Sequence, residues 1–227
     1  VTIQPENGEA VQVEFELSPA SYDTEQCLQL VARPQMVDSR LSEQLRELKD
    51  RDANTLLFNR KYFMTQLEAA VSAASSGKSN QAVLFIEPDQ FEHRVRSLGL
   101  DLADSLLVEF ANRLRDAVGD KGLCCHYRDQ SLAVVCTTSS FEQTKALTES
   151  IHKAFDNVLL DIENHSISFS VSTAAVQITE QNASVPDILS TASRLLQSME
   201  GLGGNRFDVF DPNAGDRADA ALNKAWK

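Results

Sequence analysis

The chain has 227 residues, 42% of them hydrophobic, and a formal charge of -12 from 33 acids against 21 bases. Such a length buries one good core with shorter pieces appended, and the acidic balance argues against a nucleic-acid partner or an anionic membrane surface, since both need a basic face. No apolar run reaches membrane-spanning length, so no membrane insertion is expected, and a start at Val1 with neither Met nor a signal-peptide pattern implies a fragment of a larger cytoplasmic protein.

The first elements read as strands. After an Asn7-Gly8 turn signal, Val11, Val13, Phe15 and Leu17 alternate with Gln12, Glu14 and Glu16, and Cys27 to Ala32 forms a second apolar run. This hairpin resembles the last one of a PAS domain, so residues 1–35 are expected to be the C-terminal part of a PAS-like domain. Residues 36–51 turn helical and charged, with Leu41, Leu45 and Leu48 in one narrow stripe. That stripe suits either a two-stranded signalling helix or packing on its own domain.

Asn59 is placed to cap a helix whose inner face is Phe63, Leu67, Ala70 and Val71. A fully apolar strand follows at Ala82 to Ile86. From Asp101 the residues Leu102, Leu106, Phe110, Leu114 and Val118 stack at helical spacing until Gly119 closes the helix. Leu123 to Tyr127 and Leu132 to Cys136 read as a hairpin, followed by a helix through Leu147, Ile151 and Phe155 and an alternating strand at Ile167, Phe169 and Val171. Pro186 opens a helix carrying Leu189, Ala192, Leu196 and Met199 inward, and Arg206 to Phe210 supplies a last strand. The order β-α-β-β-α-β, with one extra helix and strand, predicts an α+β, ferredoxin-like palm: a central sheet containing antiparallel strands, flanked by helices.

Metal and thiol chemistry find little support. Cys27, Cys124, Cys125 and Cys136 have no C-x-x-C spacing and read as free thiols, while His93, His126, His152 and His165 are scattered without metal-ligand spacing. Pro88 between Glu87 and Asp89 is expected to turn those two acids to opposite faces, and Gly201-Leu-Gly-Gly204 reads as a helix-end turn rather than a phosphate cradle.

The segment Asp52-Ala-Asn-Thr-Leu-Leu-Phe-Asn59-Arg60 resembles D-x-L-T-G-L-x-N-R, the leading motif of GGDEF domains, which join two GTP molecules into cyclic di-GMP. Phe85-Ile-Glu87-Pro-Asp89-Gln-Phe91 resembles the family's L-D-I-D-x-F. Gly99 and Asp104 fall on G-H-x-x-G-D, and Gly203-Gly-Asn205 on K-x-x-G-x-N. The resemblance covers residues 52–212.

That resemblance carries its own departures. The family's reaction uses two divalent ions on carboxylates, donors on the triphosphate and a glycine-rich hairpin. Here the hairpin glycines correspond to Arg128 and Asp129, its acids to Gln130 and Ser131, and its last residue to Leu132. The family's two lysines fall on Glu92 and Glu200, its guanine-reading asparagine on Val95, and its inhibitory R-x-x-D site on Gly119 to Gly122. Side chains at Arg128 and Asp129 are also expected to resist the positive φ that glycine allows.

The implied expectation is a degenerate GGDEF domain that is not an enzyme. It has no catalytic residue, no metal, no cofactor and no inhibitory site, with Glu87 and Asp104 left as vestigial metal and nucleotide positions. Such a domain would be a homodimeric relay between a PAS-like domain and an EAL-like domain of the same chain, residues 213–227 starting the helix towards the latter. This arrangement is similar to the FimX group of cyclic di-GMP effectors, which act on type IV pili and twitching motility. Two rivals are a GTP-binding sensor without turnover and an active cyclase with an atypical site.

Overall fold

The structure is a computed structural model, and it describes residues 2–3, 11–22, 25–35, 48–91, 93, 100–137, 140–156, 159–162 and 165–214. The expected turn at Asn7-Gly8, most of the helix over 36–51, and the tail helix beyond residue 214 lie outside them. The chain divides into two compact units, Val1–Lys49 and Asp50–Lys227.

In the first unit, β1 (Thr2–Ile3), β2 (Val11–Tyr22) and β3 (Glu25–Gln35) form an antiparallel sheet in that order. The period-2 pattern sets the register: Leu17 pairs with Leu30 and Pro19 with Leu28. Phe15, Leu17, Leu28 and Leu30 remain exposed.

The second unit is built on one five-stranded sheet. Its elements are α1 (Arg60–Ser75), β4 (Gln81–Pro88), α2 (Leu100–Val118), β5 (Gly122–Arg128), β6 (Ser131–Cys136) and α3 (Phe141–Ala154), followed by β9 (Val171–Ile178), α4 (Val185–Gly201) and β10 (Phe207–Phe210). A two-stranded hairpin, β7 (Leu159–Ile162) with β8 (His165–Ser168), precedes β9. The sheet order is β10-β9-β4-β6-β5, with only β10 parallel to its neighbour. This is the expected α+β, ferredoxin-like palm with one added edge strand.

Alternation along β4 explains why the strand is apolar throughout. Ala82, Leu84 and Ile86 pack under α2 and α3, while Val83 and Phe85 pack under α1 and α4. Each face has its own aromatic cluster. Phe110 meets Phe155 and Phe169 edge-on on one side, and Phe63, Phe85 and Tyr127 meet edge-on on the other. Burying one such side chain contributes about 1.5–3 kcal/mol, so covering both faces is what makes the sheet a stable platform.

Three expectations need adjustment. The inner faces of α1 and α4 use Ala74 and Ile188 at full burial, with Val71 and Leu189 only half-buried, because 3.6-residue spacing rotates those positions off the seam. The strand expected through Ile167, Phe169 and Val171 is broken after Ser168. Its first part pairs with β7, and β9 starts at Val171, fully buried along its length. At the break the Asp89 amide donates to the Ser170 carbonyl at 2.9 Å, which directs the chain into the main sheet.

Candidate functional site

The 52–59 loop is organised by Asp52. Its Oδ1 accepts from the Thr55 amide at 2.9 Å and the Thr55 hydroxyl at 2.8 Å, and its backbone closes on Leu56 and Leu57. Leu56 sits at φ 57, a left-handed conformation that costs a side-chain-bearing residue energy. Asn59 then caps α1, accepting from the Tyr62 amide at 3.0 Å, as its position suggested.

His126 on β5 reaches this loop. Its Nδ1 lies 3.1 Å from Asp52 Oδ1, and its Nε2 lies 2.8 Å from the Asp129 carbonyl at the hairpin tip. Partial burial would raise the Asp52 pKa, but hydrogen bonds from Thr55 and the contact with His126 outweigh it and hold the carboxyl below its ordinary value.

The hairpin between β5 and β6 turns through Asp129 and Gln130, with Arg128 paired to Ser131 and a register shift before Arg128. Asp129 adopts φ 43, which corrects the expectation that this position resists positive φ. Aspartate tolerates the left-handed region better than most residues, and the His126 contact holds its carbonyl. Arg128 stays in extended backbone at the end of β5, and its guanidinium lies 5.9 Å from the Tyr127 ring centre.

A cavity of about 730 Å³ opens at the end of β4, lined by residues that include Glu87, Asp89, Phe91, Gln130, Glu200 and Gly204. Glu87 and Asp89 therefore share one cavity, contrary to the expectation of opposite faces. Alternation puts positions i and i+2 of a strand on the same side. The two acids nevertheless differ. Asp89 Oδ2 accepts from Ser170 Oγ at 2.6 Å and the Asn205 amide at 2.7 Å, and its Oδ1 accepts from Ser172 Oγ at 2.7 Å. Gly204, at φ +75, leaves space for that carboxylate: an added Cβ would lie 2.5 Å from Asp89 Oδ1. Asp89 is thus a structural junction, a role its sequence position gave no sign of.

Glu87 is half-buried and flanks Ser172 on β9. Continuing the β4–β6 register past Ile86 and Leu132 sets it opposite Ser131. Ser131 is buried, and its hydroxyl has no hydrogen-bond partner among the described residues. Both line a smaller cavity of about 270 Å³ with Arg128 and Tyr127. Leu132 is fully buried and serves the core. Asp104 is exposed on α2 and accepts from Asn54 Nδ2 at 3.5 Å. Glu92, Val95 and Gly99 lie outside the described residues, and Gly119 to Lys121 forms a single 3₁₀ turn.

These donors were tested against a pair of divalent ions. Glu87 offers a carboxylate, but Asp89 is committed to three donors, and Gln130 and Ser131 bring no charge. Among the described residues no group of three His, Cys, Asp or Glu side chains is placed to hold a metal. The set does not fit two ions.

Comparison with known proteins supplies the rest. Residues 49–206 match the family model described as "Diguanylate cyclase, GGDEF domain". The chain is 26% identical over 169 residues to the probable diguanylate cyclase DgcT of Escherichia coli, covering 73% of this chain and 37% of that protein. It is 31% identical over 105 residues to the response regulator PleD of Caulobacter vibrioides, covering 46% of this chain and 23% of PleD. The chain thus spans little more than a third of these relatives at most. Among solved structures, the FimX GGDEF domain of Pseudomonas aeruginosa superposes with a TM-score of 0.67 at 23% identity, covering 70% of this chain and 98% of that one. The GGDEF domain of TpbB from the same organism gives 0.65 at 20% identity, covering 74% and 99%. At such identities these two show the shared palm fold.

The expectation that this domain is not an enzyme is corrected by these matches. It gave decisive weight to four hairpin positions, whereas the family model spans the whole palm and curated relatives are named diguanylate cyclases. Over residues 49–206 the chain belongs to the GGDEF, diguanylate cyclase family.

Proposed function

We propose that this chain acts in cyclic di-GMP signalling as a dimerising relay domain whose cleft takes a guanine nucleotide and whose altered hairpin sets how far that nucleotide is turned over. The cavity that Glu87 shares with Ser131 carries this reading, because phosphoryl transfer of this type needs a second carboxylate there to hold two divalent ions. Asp104, steadied by Asn54, offers a carboxylate to the donor edge of guanine. Glu200 in the cavity opposes the triphosphate. Two like charges near a surface repel by roughly 4 kcal/mol at 4 Å, comparable to the whole free energy of a complex with a dissociation constant of about 1 mM.

The wider form of the proposal sets this domain between a PAS-like hairpin at residues 1–35 and an EAL-like domain of the same protein, with an output in type IV pili and twitching motility. The exposed two-stranded register of β2 and β3 is consistent with a sheet edge of that kind.

The test is product formation from GTP with Mg²⁺ or Mn²⁺, comparing the natural chain with a variant carrying Arg128→Gly, Asp129→Gly, Gln130→Asp and Ser131→Glu. Restoring the carboxylates is expected to raise cyclic di-GMP output by about 10²-fold or more. Equal rates in the two proteins would overturn the reading. Calorimetry should show GTP binding that Asp104→Ala weakens.

A further inference from the structure

We propose that His126 is a pH-dependent clasp, whose doubly protonated ring joins the 52–59 loop to the hairpin tip and whose loss of one proton frees the tip. The two contacts face groups that only accept. Asp52 Oδ1 at 3.1 Å and the Asp129 carbonyl at 2.8 Å can only accept hydrogen bonds, and they face the two opposite nitrogens of one ring. A neutral imidazole carries a single N–H, so it satisfies one acceptor and turns a lone pair towards the other. Only the imidazolium donates to both.

Which end lets go follows from the acceptors. The Asp52 carboxylate is charged, and a charge-assisted hydrogen bond is roughly twice as strong as a neutral one, so the remaining proton stays at Nδ1. The released partner is the Asp129 carbonyl. Asp129 sits at φ 43, a conformation that depends on its surroundings to persist. Gln130, the next residue, lines the large cavity. His126 is therefore a positioning residue, acting on the cleft through the tip.

The charged and titratable groups facing the ring come from three elements. The 52–59 loop contributes Asp52, and Arg51 stacks on Phe58, whose carbonyl accepts from the His126 amide at 2.7 Å. From α1 comes Arg60, 5.2 Å from the Tyr127 ring centre, and from the hairpin come Arg128 and the Asp129 carboxyl. On β5, burial pushes the Cys124 thiol up to about 12 and the Cys125 thiol up as well, so both stay protonated at neutral pH. Among side-chain types, histidine is the one whose ordinary charge change falls between about pH 5 and 8.

The experiment follows ring nitrogen shifts by NMR together with amide hydrogen-exchange protection at Arg128 and Ser131, the pair that closes the hairpin, from about pH 5 to about pH 8, in the full chain without nucleotide. Protection at the tip is expected to fall about tenfold, the worth of one hydrogen bond to a charged group, in step with the ring. His126→Arg, charged throughout, should keep the protection at every pH, and His126→Gln should lack it at every pH. Tip protection that stays flat while the ring titrates would overturn the clasp. So would a natural pH profile in His126→Gln, which would assign the effect to His93, His152 or His165. Because no GTP is present, failure here is independent of any failure of the proposed function.

Discussion

The turn around Asp89 and the hairpin tip around Asp129 border the same cavity and are held in different ways. At Asp89 a single carboxylate gathers three donors from the β8–β9 junction and the turn after α4, and Gly204 makes room for it. At Asp129 one ring nitrogen holds one carbonyl. The first wall of the cleft is fixed by several short bonds that must break together. The second carries a single histidine contact, which by the proposal above is released when the ring loses one proton. The second wall is the one that carries Arg128, Asp129, Gln130 and Ser131.

The contrast can be broken most directly at the fixed wall. Asp89→Ala strands two hydroxyls and an amide, and is expected to cost about 3 kcal/mol in urea or thermal unfolding. An effect under 1 kcal/mol would mean that the junction is not held by the carboxylate. Gly204→Ala should cost about 2 kcal/mol by the same measurement, from positive φ and from the close approach to Asp89 together. Combined with Asp89→Ala it should cost less than the sum, since part of the clash is then removed.

The adjustable wall should respond more weakly and with a pH signature. Asp52→Ala is expected to cost about 1 kcal/mol at neutral pH, in the range of one intramolecular hydrogen bond. The folded pKa of Asp52 is depressed below the ordinary 3.8, so its contribution is present above that value and is lost as the pH falls through the lower folded value. Stability curves of the natural chain and the variant should therefore converge only on acidification below pH 3.8. Leu56→Gly should do the opposite of all these and stabilise, by up to about 1 kcal/mol, because it relieves the strain at φ 57.

Much of the palm was legible because its signals are local. The 3.6-residue spacing of Leu102, Leu106, Phe110, Leu114 and Val118 fixes a helix and its inner face, and all five are buried. Asn59 caps where a side-chain acceptor before an apolar helix must. The split between β8 and β9 was not legible, since Ile167, Phe169 and Val171 alternate as one strand would. Only the Asp89 amide bonded to Ser170 reveals that the chain changes sheets there.

The site divides along the same line. Resemblance to the family's motifs marked Glu87, Asp104 and the hairpin from Arg128 to Leu132, because those motifs are only a few residues long. Nothing local marks Asp89 as a junction or His126 as a bridge: their partners lie 81, 83 and 116 residues away for Asp89, and across two elements for His126. Sequence determined which segments would become helix and strand and which motif positions would gather around the cleft. Tertiary structure decided which acid stays open to a ligand and which is consumed by the fold, since a carboxylate's role depends on the donors that folding brings to it.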